Sequence, residues 1–443
     1  MKKLFKNTYL EYRFFIIASI LVAIYILAYQ FPGLLIMANM LTFVLTALTI
    51  IDIFLLYKQN GLAANRILPE KLSNGDDNSI EITLKNSYNF YVNLKLIDEL
   101  PFQYQKRDFN ITSTLKKTDY KKITYTLRPL ERGEYHFGNL NVYVTSPLGF
   151  IARRFQFGKN AMVPNYPSFL QLKKYMLLAF SNKIFEFGLK KIRRIGHTME
   201  FEQIKDYVAG DDIRNINWKA TAKRNQLMVN QYQDERSQPI YSVIDMGRAM
   251  KMPFNGLSLL DYAINATLVI SNVALKKQDK AGMFSFSRKV GDKVVAERRP
   301  SQMNQIIETL YNMRTDFAES DFARLYIDIK RSLNQRSLLL LYTNFETLDA
   351  LHRQLPYLQA IAKNHVLVVI FFENTELSEF ITKPVTKTNE IFEKTIAEKF
   401  IYEKKLIITE LQKHGIQSIL TTPKDLTINT INKYLEIKAR GLI

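Results

Sequence analysis

No cysteine occurs in the 443 residues. That excludes disulfides, thiolate metal sites, cysteine nucleophiles and iron–sulfur clusters. It assigns no compartment, because a reducing cytosol merely permits such a composition. Glycine and proline are sparse, at 16 and 13 residues, and only one tryptophan is present. With 47% hydrophobic residues and no long low-complexity tract, the composition is that of a globular protein. Also missing are a Walker loop, a dinucleotide fingerprint, an H-E-x-x-H pair and a nucleophile elbow. The five histidines (His136, His197, His352, His365 and His414) stand far apart and form no ligand pair in sequence. His136, alone in a strand, reads as a partly buried structural residue. Acidic residues are in deficit, 42 against 61 Lys and Arg, for a net charge of +19. Nucleic acid, an anionic membrane and an acidic protein partner are the three competing explanations. The cations are spread along the chain rather than gathered in one block, which argues against nucleic acid.

Two long uncharged runs open the chain, Phe14 to Phe31 and Leu34 to Ile51, separated by a Pro32-Gly33 turn. Each is close to the roughly 20 residues a helix needs to cross the hydrocarbon core. Asp52 lies where it reaches the headgroups, so the second run extends to about Tyr57. A second apolar run directly after the first argues against a cleaved signal peptide. Lys2, Lys3, Lys6 and Arg13 precede the first run, and Lys58, Arg66 and Lys71 follow the second, while the loop has neither Lys nor Arg. The positive-inside rule then places both ends, and the soluble domains, in the cytoplasm. The expected location is the bacterial inner membrane, spanned twice. Anionic headgroups become the simplest explanation of the positive charge.

From residue 59 to 160 the apolar period drops to two, as in Ile80-Ile82-Leu84 and Val92-Leu94-Leu96. Turn signals such as Asn74-Gly75 and Pro147-Leu148-Gly149 separate the runs. The pattern predicts an antiparallel β-sandwich, read as spacer and packing platform. From residue 239 to 443, apolar strand runs alternate with helical periodicity: 240–244, 281–286, 337–342, 366–372 and 416–420 are the strands. Strands apolar on both faces predict a mostly parallel, doubly wound α/β sheet. Ligands of such sheets sit at the carboxyl ends of the strands, where Asp245 and Asn344 fall. The expected domains are thus 1–58 (a two-helix membrane anchor), 59–160 (sandwich), 161–238 (connector) and 239–443 (α/β domain).

The connector is the least generic stretch. It runs Gly210-Asp211-Asp212-x-Arg214-x-Ile216-x-Trp218-Lys219-Ala220-x-Ala222, then Leu227-Met228-Val229 and Glu235-Arg236, with Glu200 and Tyr207 upstream. This stretch closely resembles the signature of a domain-of-unknown-function family, number fifty-eight. Arg132-Gly133-Glu134-Tyr135-x-Phe137-Gly138 and Ser146-Pro147-Leu148-Gly149 are similar to the end of that family's sandwich domain. The resemblance implies a membrane-anchored protein whose α/β half is von Willebrand factor A-like. It further implies partners among MoxR-type AAA+ ATPases and other von Willebrand factor A proteins, with no cofactor and no established enzymatic activity. The sequence departs from the family pattern at Lys205, where an arginine is common; lysine lacks the bidentate fork. It departs again at the metal site. Asp245-Met246-Gly247-Arg248-Ala249 stands where Asp-x-Ser-x-Ser would bind a metal, with Thr315 and Asn344 at the other ligand positions. Both hydroxyls are gone and Arg248 brings a cation, whereas a hard divalent ion needs about six oxygens. Magnesium is not expected.

Adjacent residues of one element point apart, so Asp211 and Asp212 are read as cap and ion-pair partners rather than a catalytic pair. Arg214 and Lys219 are the expected partners of the free carboxylate. Trp218 is read as the core of its small subdomain, beside Tyr207 and Ile216, with an exposed partner anchor as the competing reading. The basic run Lys190-Lys191-Ile192-Arg193-Arg194 is either a solvated face or a contact for phosphates. The functional expectation is a non-enzymatic, membrane-tethered adaptor. The alternative is a metal-dependent module or enzyme built on a degenerate site at Asp245.

Overall fold

The computed structural model describes residues 7–158, 160–170, 199–208, 211–234, 237–384 and 388–442. Gly210, Glu235, Arg236 and the basic run at 190–194 lie outside the described residues. The chain divides into two compact units, Met1–Tyr166 and Pro167–Ile443.

In the first unit, helices α1 (Tyr12–Gln30) and α2 (Leu34–Tyr57) are each long and apolar enough to cross a membrane. Tyr25 ties them together by donating to Asn39 Oδ1 at 2.9 Å. Asp52 does not reach outward as expected. It is fully buried, and its Oδ2 accepts the backbone N–H groups of Phe150 and Ile151, both at 3.1 Å. The end of α2 is equally fixed. The Leu56 carbonyl accepts Tyr88 Oη at 2.9 Å and Arg153 Nη1 at 2.5 Å, and the same Nη1 donates to the Gln59 carbonyl at 3.0 Å. A guanidinium is the favoured group at a helix C-terminus, where carbonyls lack partners. The second helix is therefore built into the strand-rich part rather than joined to it by a free linker.

The strands of this unit are β1 (Thr8–Leu10), β2 (Leu62–Ile67), β3 (Leu72–Ser73), β4 (Asn78–Asn86), β5 (Val92–Asp98) and β6 (Asn110–Leu115). There follow β7 (Tyr120–Leu127), β8 (Gly133–Phe137), β9 (Leu140–Thr145), β10 (Ile151–Phe157) and β11 (Ala161–Tyr166). They form sheets in the orders β1-β10-β9-β5-β6, β2-β4-β7 and β3-β11-β8. The period-two residues read from the sequence are the buried ones. Ile82 and Leu84 of β4 share one core with Leu94 and Leu96 of β5 and Val142 and Val144 of β9. Pairing is antiparallel except between β3 and β11, which run parallel, a departure from the all-antiparallel expectation. Within the unit Arg66 and Asp98 form a buried ion pair, and Tyr125 Oη also donates to Asp98. His136 is exposed on β8 beside Glu134, not partly buried as expected, because its position in the alternation faces outward.

The second unit opens with a hairpin of β12 (Met199–Asp206) and β13 (Met228–Asp234) around helix α3 (Trp218–Arg224). Next come β14 (Pro239–Asp245) and a short ribbon of β15 (Pro253–Phe254) and β16 (Leu257–Ser258). Helix α4 (Leu259–Lys276) starts at a capping box, in which Ser258 Oγ accepts the Asp261 N–H and the Asp261 carboxylate accepts the Ser258 N–H. The remaining elements are β17 (Lys280–Phe286), β18 (Val290–Glu297), α5 (Gln302–Asn312), α6 (Phe322–Ser332), β19 (Leu338–Tyr342), α7 (Leu348–Asn364), β20 (Val366–Phe372), α8 (Thr375–Thr382), α9 (Thr388–Lys413), β21 (Gln417–Thr421) and α10 (Leu426–Ala439).

The large sheet has the order β18-β17-β14-β19-β20-β21, parallel throughout except for the β18 edge. Alternate strand residues feed two separate cores. Ile240 and Ile244 of β14 join Ile264, Ile306 and Ile431 of α4, α5 and α10. Tyr241 and Val243 join Leu325, Leu351 and Ile407 of α6, α7 and α9. Strands apolar on both faces are thus covered on both faces. Asp279 pins the last helix: it accepts Tyr434 Oη and Lys438 Nζ, both at 2.5 Å, and the Gln238 N–H at 3.1 Å. Strand order reverses between β14 and β19, which opens a crevice at the carboxyl ends of these strands.

Candidate functional site

Two places bring together the residues singled out by sequence. In the hairpin, the acidic pair is consumed by local structure. Asp211 Oδ1 accepts Lys205 Nζ at 3.0 Å and its Oδ2 accepts the Val208 N–H at 3.1 Å. The Lys205 hydrogen bond, with the Val208 N–H behind it, holds the Asp211 carboxyl below its ordinary range. Asp212 accepts the Arg214 N–H at 3.0 Å and caps the turn Ile213–Asn215. Helix α3 has its own cap, Asn217, whose Oδ1 accepts the Ala220 N–H at 3.0 Å while its Nδ2 donates to Asn230 of β13 at 2.9 Å. Lys205, rather than Arg214 or Lys219, is the partner of the free carboxylate. Glu200 pairs in register with Gln233, and Tyr207 donates its N–H to the Leu227 carbonyl just past the paired strands.

Trp218 is not core. It is 69% exposed, as the first residue of α3. A seven-residue helix on a two-stranded hairpin forms a single thin layer, and the buried space there goes to Met228 and Val229. Val208, Ile213 and Leu227 are exposed on the same small subdomain. Arg214, Lys219, Lys223 and Arg224 are exposed on the same subdomain and form no ion pair with any described residue. Apolar and cationic groups therefore face solvent together.

At the strand-order reversal, Asp245 is 2% exposed. Its Oδ1 accepts the Gly247 N–H at 2.8 Å and the Ser320 hydroxyl, and its Oδ2 accepts the Thr343 hydroxyl at 2.6 Å. Burial pushes the Asp245 carboxyl upward, and those three donors oppose the rise. Gly247 is required by close approach, since a Cβ there would collide with Ser320 Oγ. Arg248 is exposed, so the cation expected beside Asp245 is not the group that faces it. Thr315 is half-buried, and its neighbour Asp316 comes closer to this cluster, bonded to the Ser287 hydroxyl. Asn344 turns away: its Oδ1 accepts Lys404 Nζ at 2.6 Å. As arranged, both Asp245 oxygens and the Asn344 oxygen accept protein donors. Among the described residues no group of three His, Asp or Glu side chains converges. Ser287, Ser320 and Thr343 were not singled out by sequence. Ser287 and Thr343 could have been, since each is the first residue past a strand end.

Together these features define an α/β domain with an appended hairpin. Residues 203–379 match the model of the family described as "Protein of unknown function DUF58". The match begins inside β12 and ends in α8, so it includes Trp218 and Asp245 and excludes α1, α2 and Lys404. A curated relative, the uncharacterized protein YeaD of Bacillus subtilis (strain 168), is 24% identical over 240 residues. That match spans 53% of this chain and 58% of the relative's length. Among solved structures, the SpRpn10 VWA domain is similar at 9% identity and a TM-score of 0.29, over 44% of this chain and 95% of that one. The CARDB domain of PF1109 from Pyrococcus furiosus is similar at 14% identity and a TM-score of 0.17, over 24% of this chain and 94% of that one.

Proposed function

We propose that the protein is a non-enzymatic, membrane-tethered adaptor. In this reading α1 and α2 span the inner membrane, and the strand-rich part of the first unit and the whole second unit are cytoplasmic. The von Willebrand factor A-like α/β domain and its hairpin bind protein partners, among them a MoxR-type AAA+ ATPase, in the assembly or maturation of other proteins. The observation that carries the reading is the exposed Trp218. An indole left in water on the same small subdomain as exposed Ile213, Val208 and Leu227, and as four cations that form no ion pair with any described residue, has the composition of an interface anchor. The cations favour a partner face that is acidic. The acidic pair supports the same reading, because Asp211 serves an ion pair and a backbone N–H and Asp212 serves a cap. Neither metal nor cofactor is required.

The test is affinity capture of the full chain from native membranes after chemical cross-linking. An ATPase or another von Willebrand factor A protein should be recovered with the wild type and lost with Trp218→Ala. Recovery unchanged by that substitution would remove the hairpin from the interface.

A further inference from the structure

A second feature lies partly beyond the family match, with Phe400, Ile401, Lys404 and Pro423 of its lining following residue 379. At the carboxyl ends of β19, β20 and β21 is a cavity of about 220 Å³. Phe372, Leu377, Phe400 and Ile401 supply apolar wall, and Lys404 and Asn344 are polar lining. Lys404 reaches into it from α9. Its ammonium donates to Asn344 Oδ1 and to the Phe345 carbonyl, both neutral oxygens. An ammonium has three protons to donate, so one is left over, and no described carboxylate forms an ion pair with it. Burial draws its pKa down to about 8, against which Glu346 acts only at longer range. A desolvated cation without a counter-charge is costly, and a bound anion removes that cost. Helix α8 begins on the same wall, so its N-terminal dipole favours negative charge there as well. The other charged lining groups are carboxylates: Glu346, Glu373 and Glu376. These would repel a simple anion and attract a cation. A ligand that satisfies both halves carries one charge of each sign on an apolar body. The volume is below the roughly 300 Å³ at which drug-sized ligands begin, so the ligand is about one residue in size.

We propose that this cavity binds a free apolar α-amino acid as its zwitterion. The carboxylate pairs with Lys404, the ammonium faces the glutamates, and the side chain packs on Phe372, Leu377 and Ile401. A polypeptide end has the same chemistry but only one of the two charges, which makes the sources separable. The experiment is calorimetric titration of the full chain in detergent with L-leucine, N-acetyl-L-leucine and L-leucinamide. L-Leucine should bind at least tenfold more tightly than either derivative, with binding weakened at least tenfold by Lys404→Met. Leu377→Trp, which fills the cavity from an exposed short helix, should abolish binding without touching Lys404. Glu373→Gln should weaken L-leucine but, by removing a repelling carboxylate, bind N-acetyl-L-leucine no more weakly than wild type. No heat with L-leucine or L-phenylalanine would overturn the proposal. Equal affinity for N-acetyl-L-leucine would overturn it in favour of a chain carboxyl terminus, and equal affinity for L-leucinamide in favour of an amino terminus.

Discussion

Asp245→Asn and Asp245→Ala separate a structural knot from a metal site. The asparagine keeps the shape of the side chain and one acceptor oxygen. Its amide faces the Thr343 hydroxyl, since the other position must still accept the Gly247 N–H, and a hydroxyl can rotate to accept. One reversed neutral hydrogen bond costs about 1 kcal/mol. Alanine removes both oxygens. It leaves the buried Gly247 N–H without its partner, at about 1–3 kcal/mol, and adds a cavity term. A loss of about 2–4 kcal/mol follows for alanine, and for a domain of this size each kcal/mol lowers Tm by about 2–4 °C. Thermal unfolding of the full chain in detergent, with and without magnesium or manganese, is the assay. The expected order is wild type, Asp245→Asn slightly below, Asp245→Ala well below, with no response to either ion. A bound ion at 100 times its Kd would stabilise by about 2.7 kcal/mol, about 5–11 °C by the same conversion. Such a rise in wild type, absent from Asp245→Asn, would refute the reasoning.

Three other outcomes follow from named contacts. Asp279→Ala strips Tyr434 and Lys438 of their shared acceptor and leaves polar groups buried, so a loss of about 3–5 kcal/mol is expected in denaturant unfolding; a loss under about 1 kcal/mol would contradict the role of Asp279 as the pin of α10. The Lys404 pKa is lowered on folding, so the unfolded chain binds the extra proton between about pH 8 and its ordinary value near 10.5. Stability attributable to Lys404 therefore rises with pH across that window, and Lys404→Met should remove the rise relative to wild type. Asp52→Ala frees the N–H groups of Phe150 and Ile151, and proteolysis at the 146–150 turn should become faster.

Most of the architecture was legible because it rests on burial. The strands at 240–244, 337–342 and 366–372 are apolar on both faces, and each is a central strand covered on both sides. The first unit's alternation was legible for the same reason, since Ile80, Ile82 and Leu84 face a core while their neighbours do not. The hairpin was not. A bulge between Phe201 and Gln203 breaks the period-two pattern of β12, and β13 carries Asn, Gln and Asp. Edge strand β18 hid in a charged stretch, where a single packed face supplies too few apolar residues to mark it. Trp218 was misplaced because residue type predicts burial only where a second layer exists to bury it. The Asp245 neighbours were invisible for a different reason. Ser320 and Thr343 lie 75 and 98 residues away, and only the crossing of the strands brings them together.

The central claim is that the signature hairpin is a docking surface for a protein. Cross-linking mass spectrometry of the full chain in native membranes tests it most directly, because it identifies the contacting residues as well as the partner. Lys219 and Lys223 flank Trp218 and carry reactive amines, so cross-links from them to an acidic face of another protein are predicted. Those cross-links should vanish in Trp218→Ala while cross-links within the α/β domain persist. Cross-links from these lysines only to this chain itself, in wild type and variant alike, would contradict the claim.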